Sequence, residues 1–491
     1  MKLDYEKLGL KSGIEIHQQL DTARKLFCQC DSRLSLDAPT RQIDRKLRAV
    51  AGEMGDIDAA AAQEVLKGKA FHYSIYPRES CGVETDEEPP HPMNTEALEI
   101  CLKIALMLNC TIPDEVQVMR KTVIDGSNTT GFQRTALVGV DGWVDTKFGK
   151  VGITNVSVEE DAAKIIKRNK TDVHYSLDRL GIPLVEIGTA PDARHPEQVK
   201  EMAEKIGMVL KSTGKVKTGL GKIRQDVNVS IKGGSRIELK GVQSLSVIPE
   251  AVDREIMRQQ LYVNKRQKVP SEVRKCLPDG RSEFMRPMSG GARLYPETDI
   301  PPIRVDRAWL EELRLGLPEL LDDRVKRYIG EYRLNPDIAN QLASSGRMEL
   351  FEYLVEWAEP KALATTLTST LTQVRREGAD VSKITKEHLR DVFRALKRGE
   401  IAKEAIPELL KEMASRPGAK FQDVLQAAAG GAVSEADLKG IVRKVIDAKP
   451  GLLKSGRPEK VYMGLVMKEV RGKFPGDKVM KAVAEEIKRR K

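Results

Sequence analysis

Between Ile223 and Leu239 polar and apolar residues alternate so regularly that the stretch can only be a β-hairpin. Arg224, Asp226, Asn228 and Ser230 lie on one face of the first strand, and Ile223, Val227, Val229 and Ile231 on the other. After Lys232-Gly233-Gly234-Ser235, the second strand sets Arg236, Glu238 and Lys240 against Ile237 and Leu239. A two-residue Gly-Gly turn would oppose Ser230 to Ile237, polar against apolar. A three-residue loop, 232–234, pairs Asp226 with Lys240, Asn228 with Glu238 and Ser230 with Arg236. A slip of one residue reverses the faces, so this register is the expected one. A charged face with an apolar back is either open to solvent or the floor of a polar site.

Three further strands repeat the pattern. In Gly13–Gln19, Glu15, His17 and Gln19 point away from Ile14, Ile16 and Gln18. A carboxylate beside an imidazole makes a two-ligand corner for a metal, or an ordinary polar strand surface. In Val151–Glu160, Asn155, Ser157 and Glu159 oppose Val156 and Val158, and the stretch ends in Glu159-Glu160-Asp161. That acidic run suits either a helix start or a metal. In Gly181–Ile187 the single Glu186 stands in an apolar strand, which implies a partner, either Arg179 or a cation. Four such strands favour a site over a solvated surface.

Two loops stand out. Ile124–Arg134, with Ser127, Asn128 and Arg134, is either a phosphate cradle or a tight turn, and Arg293–Asp299 is an acid-containing turn before Pro301-Pro302. No Gly-x-x-x-x-Gly-Lys-Ser/Thr loop occurs, and Gly219-Leu220-Gly221-Lys222 is too short to be one. No kinase signature set is found either. Cys28, Cys30 and Cys81 offer three thiolates for zinc, with Glu84, His72 or His91 as the fourth donor, or are three ordinary thiols.

Charge separates the chain into two parts. Residues 371–491 hold 28 Lys and Arg against 17 Asp and Glu, whereas residues 1–370 hold 54 against 55. A basic end on a near-neutral body suits a polyanion bound at one place, or a solvated Lys-rich helical surface. The end has few aromatics (Phe393, Phe421, Tyr462 and Phe474), so phosphate contacts and shape favour structured RNA over a stacked single strand. No run approaches the roughly 18 apolar residues of a membrane span. Six cysteines in 491 residues make no disulfide framework, so a reducing cytoplasm is expected.

The expected fold class is α+β: a mixed α/β cradle over 1–305, a helical connector over 306–377 and a basic helical tail over 378–491. Helices are expected over Pro318–Tyr332 and Asn335–Trp357, with a linker at Gly378–Lys383 and breaks at Arg416-Pro417-Gly418 and Lys449-Pro450-Gly451. Ser434, three residues before Asp437, suits a helix start, and Val479, Met480, Val483 and Ile487 form one apolar face.

The motifs GLKSGIEIHQQLDT (9–22), KLFCQC (25–30), ETDEEPPHPMN (84–94), VIDGSNTTGFQRT (123–135), EEDAAK (159–164), LDRLGIPLVEI (177–187), GLGKIRQDVNVSI (219–231), ELKGVQSL (238–245) and RPMSGGARLYPETDIP (286–301) occur in this order. Together they resemble the B/E transamidase subunits of the tRNA-dependent amidotransferases, and within that family the archaeal glutamyl-tRNA(Gln) amidotransferase E type. The resemblance implies that ATP and Mg²⁺ phosphorylate the γ-carboxylate of Glu carried on tRNA(Gln). Ammonia from an asparaginase-like partner, the D subunit, then reaches the site through a tunnel and displaces phosphate. It assigns Glu15, His17, Glu159, Glu186 and Asp226 to Mg²⁺, and Arg224, Asn228, Glu238 and Lys240 to the same floor. Ser127, Asn128 and Arg134 become nucleotide or acyl-end contacts, the tail contacts tRNA, and the assembly is hetero-oligomeric. A B-type subunit working with an amidase, and a non-catalytic tRNA binder, are the alternatives.

The chain departs from the resemblance twice. E subunits usually carry an inserted domain resembling part of aspartyl-tRNA synthetase, but here the helix Pro249–Gln267 runs directly into Val273–Gly280. Bacterial B subunits carry a second cysteine pair where this chain has only Cys81.

Overall fold

The computed structural model describes residues 3–46, 66, 68–219, 221–288, 294–428, 435–454, 458–470 and 476–490. Its strands, in chain order, are β1 (Lys11–Gln19), β2 (Arg41–Arg45), β3 (Ala70–Ile75), β4 (Glu115–Val116), β5 (Val118–Thr122), β6 (Phe132–Thr146), β7 (Gly149–Glu160) and β8 (Lys164–Arg168). They continue with β9 (Asp172–Ser176), β10 (Pro183–Thr189), β11 (Ile223–Ser230), β12 (Ile237–Lys240), β13 (Glu272–Cys276), β14 (Ser282–Pro287), β15 (Leu294–Pro296) and β16 (Ile303–Arg304). The mixed α/β body and the all-helical region after it match the expected fold class.

Ten strands form one sheet in the order β14-β13-β12-β11-β1-β10-β7-β6-β5-β15, antiparallel except where β12 meets β13. One face carries the odd-numbered apolar residues of β11 and the even-numbered ones of β1 and β7. Ile14, Ile16, Val156, Val158, Val185, Ile187, Val227 and Val229 are all buried there in a single core. Helices Thr95–Met107, Pro196–Ser212 and Ile248–Asn264 cover that core. Each has an apolar stripe, such as Leu98, Cys101, Leu102 and Ala105 on the first. With the apolar side sealed, the alternating polar residues must share the opposite face.

The hairpin register is the expected one. Asn228 pairs with Glu238, flanked by Val227–Leu239 and Val229–Ile237. The ladder ends at Val229–Ile237, so the connection is longer than three residues although the faces are as expected. β7 runs through Glu160 and no helix starts at Glu159-Glu160-Asp161.

A four-stranded sheet, β2-β3-β9-β8, holds a small core of Phe71, Tyr73, Val173, Tyr175 and Leu177. It pins the 124–131 loop. Tyr73 and Tyr175 donate their hydroxyls to the carbonyls of Gly126 (2.7 Å) and Asp125 (2.8 Å), and the Ala163 amide donates to Ser127 (2.9 Å). Gly126 has φ +79°, and a Cβ there would lie 2.3 Å from the Phe71 ring, so only glycine fits.

The chain divides into two compact units, 1–320 and 321–491. Residues after the expected 305 boundary stay with the body, because Leu313 is in its core and Trp309 and Leu310 pack on it. In the second unit one core joins Tyr328, Phe351, Leu363, Leu389, Phe393, Leu409 and Val424. The expected boundary at 377/378 therefore lies inside a continuous core. A separate core of Leu438, Val442, Ile446, Tyr462, Val466, Val479, Val483 and Ile487 holds the terminal helices Glu435–Ala448, Pro458–Val470 and Gly476–Arg490.

The helix expected over Asn335–Trp357 forms as Pro336–Ser344 and Met348–Leu354, parted at Gly346 with φ +68°. Breaks at 416–418 and 449–451 are present, whereas Ser434 lies outside the described residues. Among the described residues no helix is long and apolar enough to cross a membrane.

Candidate active site and its cation positions

β1 is the middle strand of the polar face, hydrogen-bonded to β10 on one side and β11 on the other. Its register sets His17 opposite Glu186 and Arg224, and Glu15 opposite Asp226 and Gly188. His17 Nε2 thereby lies 3.4 Å from Glu15 Oε1 and 3.3 Å from Glu186 Oε2. The ligand atoms of Glu15, His17 and Glu186 all fall within 4.8 Å of one another. Two carboxylates and an imidazole in this arrangement could hold a divalent cation.

Glu159 and Asp226, the other two expected metal ligands, share this face but are held by lysines. Lys121 Nζ on β5 lies 3.2 Å from Glu159 Oε1 and 3.0 Å from Glu186 Oε2. Thr135 and Gln133 of β6 also donate to Glu159, at 2.9 and 3.1 Å. Lys240 Nζ lies 2.7 Å from Asp226 Oδ2 and 2.8 Å from Glu238 Oε1, while the Gly241 amide donates to Asp226 Oδ1 at 2.9 Å. Asn155 donates to Glu186 Oε1 at 3.4 Å. It reaches across because Gly188 lacks a Cβ, which would stand 2.4 Å from the Asn155 oxygen.

The electrostatics follow from crowding carboxylates on a half-buried face. Burial, and then the Glu186 charge, push the Glu159 carboxyl up to about 7. Burial also opposes charge on Glu186, but the His17 hydrogen bond and Lys121 outweigh it and hold that carboxyl well below its ordinary range. Burial disfavours the His17 imidazolium, yet its hydrogen bond to Glu186 raises it. Lys121 is raised as well, since Glu159 and Glu186 outweigh its burial.

Of the other residues singled out in the sequence, Arg224 and Asn228 share this face, whereas Arg134 lies on the opposite face of β6. Glu186 is paired with Lys121 and His17 rather than with Arg179, which donates to the carbonyls of Ala162 and Ala163. Arg224 reaches Asp161 at 2.9 Å, and Gln19 donates to the same carboxylate. Asn228 accepts from Arg236 at 3.0 Å. Arg134 is buried between Glu160 (3.0 Å) and Glu297 (2.9 Å), and Glu297 also binds Arg120. Glu297 thus ties the Leu294–Asp299 segment to β5 and β6, while Arg293 lies outside the described residues. Ser127 donates its amide to Asp125 of its own loop (3.0 Å), and its carbonyl accepts from the Ala163 amide (2.9 Å). Asn128 is buried, and its amide has no hydrogen-bond partner among the described residues.

The sequence reading missed Lys121. It stands in Val118–Thr122 between Arg120 and Thr122, a pattern that reads as a polar strand surface, and only the β5–β6 pairing of Lys121 with Gln133 sets it on the carboxylate face.

A second cluster lies apart from the first. Cys28, Cys30, Cys81 and Glu84 bring their ligand atoms within 4.8 Å of one another, so Glu84 is the fourth donor rather than His72 or His91. His72 is bound instead by Asp44 and Asp172. Hydrogen bonds from Cys28 and Cys30 push the Cys81 thiol far down, while the bonds Cys28 makes with Cys30 and Cys81 push its own thiol up. Lys25, fully buried, lies 3.4 Å from Glu84. Three thiolates and a carboxylate suit tetrahedral zinc.

Residues 10–311 match the family model described as the GatB/GatE catalytic domain, and residues 349–487 match the one described as the GatB domain. The chain belongs to the GatB/GatE family. The E subunit of the glutamyl-tRNA(Gln) amidotransferase of Methanocaldococcus jannaschii is 36% identical over 629 aligned positions, covering 99% of this chain and 100% of that protein. Proteins of the same name from Methanococcus maripaludis and Methanosarcina acetivorans are each 34% identical over 627 positions, covering 99% of both chains. With 629 aligned positions against 491 residues, at least 138 positions of the Methanocaldococcus protein have no counterpart here. In this GatB/GatE chain only residues 265–271 separate the helix Ile248–Asn264 from β13.

The buried Glu297 clamp generates a prediction. Glu297→Gln leaves Arg120 and Arg134 short of a carboxylate, and should destabilise the body by about 3 kcal/mol. Urea unfolding followed by circular dichroism should show the lower midpoint.

Proposed function

We propose that this chain is the synthetic subunit of a tRNA-dependent amidotransferase, converting Glu on tRNA(Gln) to Gln with ATP and ammonia. The observation that carries the reading is the Glu15–His17–Glu186 cluster, flanked by Lys121 and Lys240, on the open face of a catalytic-domain sheet of this family. A carboxylate is a poor electrophile until it is phosphorylated, and phosphoryl transfer requires positioning and charge neutralisation more than a protein nucleophile. The face supplies both: carboxylates for metal, cations for phosphate, and neutral donors such as Asn155 that orient the carboxylates. Mg²⁺, held by Glu15, His17 and Glu186, would neutralise the phosphates. Glu159 is joined to Glu186 through Lys121, and Asp226, held by Lys240, lies across from Glu15 in the sheet.

Arg224, Asn228, Glu238 and Lys240 would shape the floor, Ser127 and Asn128 would contact the nucleotide or acyl end, and Arg134, sealed between Glu160 and Glu297, would brace β6 instead. Ammonia would come from an asparaginase-like partner, the D subunit, in a cytoplasmic hetero-oligomer.

The test mixes purified protein with Glu-tRNA(Gln), ATP, Mg²⁺ and an ammonium salt. Gln-tRNA(Gln) should form, and Glu15→Ala should lower turnover on the order of 100-fold while tRNA affinity stays within about twofold. Absence of product, together with absence of ATP hydrolysis dependent on charged tRNA, would remove the reading. Equal loss of turnover and affinity in Glu15→Ala would instead indicate a folding role.

The basic end is proposed to grip tRNA. Residues 371–491 carry the excess of cations, and the terminal helices have their own core. The terminal core begins with the helix Glu435–Ala448, so a truncation that removes it whole starts before Glu435. It should weaken tRNA binding and flatten its salt dependence by about one unit for each phosphate no longer gripped. Filter binding at several salt concentrations measures both.

The Cys28, Cys30, Cys81 and Glu84 cluster is proposed to hold structural zinc. Elemental analysis should find zinc in the wild-type protein, with Cys81→Ser losing most of it along with thermal stability.

A further inference from the structure

Lys121 and Lys240 are each joined to two carboxylates, and they do so from opposite sides of β1. Lys121 bridges Glu159 of β7 and Glu186 of β10, and Lys240 bridges Asp226 of β11 and Glu238 of β12. β10 and β11 are the two neighbours of β1, so the Glu15–His17 pair lies between the two bridges. An ammonium between two carboxylates stands where a bridging metal ion would stand. On the β10 side the overlap is direct, because Glu186 Oε2 lies 3.3 Å from His17 Nε2 and 3.0 Å from Lys121 Nζ. A divalent ion entering among Glu15, His17 and Glu186 would meet the charge of Lys121 at the same carboxylate.

We propose that Lys121 is a placeholder for that ion. It holds Glu159 and Glu186 apart and neutralised while the metal is absent, gives up Glu186 when the ion enters, and then turns its freed ammonium to the phosphate oxygens the ion brings. This rests on the metal-dependent phosphoryl-transfer reading above and makes Lys121 a phosphate-binding residue within it.

Three features of the structure support the exchange. Lys121 lies on the open face with its side chain 38% exposed, so its four-carbon stem has room to swing. Glu159 does not depend on Lys121 alone, because Thr135 and Gln133 hold both of its oxygens and would keep it in place. Asn155 likewise keeps Glu186 oriented through its other oxygen. The carboxylates are thus fixed by neutral donors, and the cation is the exchangeable partner. Glu15, Glu159, Glu186, Asp226 and Glu238 are five carboxylates facing Lys121, Lys240, Arg236 and His17, while Arg224 on the same face is paired with Asp161. Such a face keeps a demand for positive charge that divalent ions can meet.

Mn²⁺ titration of the full-length protein, without nucleotide or tRNA, separates a placeholder from an ordinary structural ion pair. Electron paramagnetic resonance reads the free ion. Lys121→Met removes a like charge from the ion's neighbourhood and should bind the first Mn²⁺ about tenfold more tightly than wild type. Lys121→Arg keeps the charge and should bind close to wild type. With Mn²⁺ saturating, Lys121→Met should need about tenfold more ATP for half-maximal hydrolysis in the presence of charged tRNA. If Lys121→Met lowers the melting temperature enough to cloud the comparison, Lys121→Gln, uncharged but polar, takes its place.

Unchanged or weaker Mn²⁺ binding in a folded, uncharged variant would overturn the proposal, because a lysine that merely braces the site weakens it when removed. If wild type binds no Mn²⁺, the metal reading and the placeholder fall together. If Mn²⁺ binds as expected but no Gln-tRNA(Gln) forms, the assigned reaction falls and the exchange stands.

Discussion

The antiparallel pairing of β1 with β10 and β11 is the constraint on which the rest of the site depends. It places His17 between Glu186 and Arg224, and Glu15 between Gly188 and Asp226. Each of those side chains is fixed in direction by the pleat and in height by the ladder, so the cluster needs no loop to assemble it. The same pairing drives Ile14, Ile16, Val185, Ile187, Val227 and Val229 into the core beneath. Burial of the apolar side therefore enforces the geometry of the polar side, since a one-residue slip would expose the first and bury the second.

Placing that many carboxylates on one half-buried face carries an electrostatic cost, and the surrounding residues are organised around it. Lys121 and Lys240 neutralise pairs, while Thr135, Gln133, Asn155 and the Gly241 amide supply neutral hydrogen bonds. Farther out, Arg134 and Glu297 form a buried counterpart on the opposite face of β6, with Glu160 closing the pair. Near the site the two lysines, with side chains 38% and 32% exposed, are the charges free to exchange partners. Those in the Arg134 clamp are sealed, and they hold strands together instead.

Much of this was legible in the sequence, because period-two alternation leaves a direct record. Glu15, His17 and the Asp226–Lys240 face follow from it, Glu186 stands out as a lone acid in an apolar strand, and the hairpin register follows from which residues would otherwise meet. Cys28, Cys30 and Cys81 were visible as a thiol set. Other features were not legible, for identifiable physical reasons. Lys121 has polar neighbours on both sides, so alternation does not mark its face. Glu159-Glu160-Asp161 has the composition of a helix start, and only pairing with β6 and β10 keeps it in a strand. The split at Gly346 and the continuous core across 377/378 depend on how helices pack, which local signals do not report.

What the sequence determined by itself was the identity of the polar face, the register that builds it and the basic character of the helical end. These are properties of spacing and charge, and they survive any arrangement of the elements. Only the tertiary structure decided which carboxylates converge and which are held off by a lysine. Glu186 is the single acid of an apolar strand, and Asp226 the single acid of the alternating strand β11. One meets His17 and Lys121, the other Lys240 and Glu238, because strand order in the sheet sets which neighbours lie within reach of each oxygen. Distances of about 3 Å between residues far apart in the chain are set by packing, and local alternation carries no information about them.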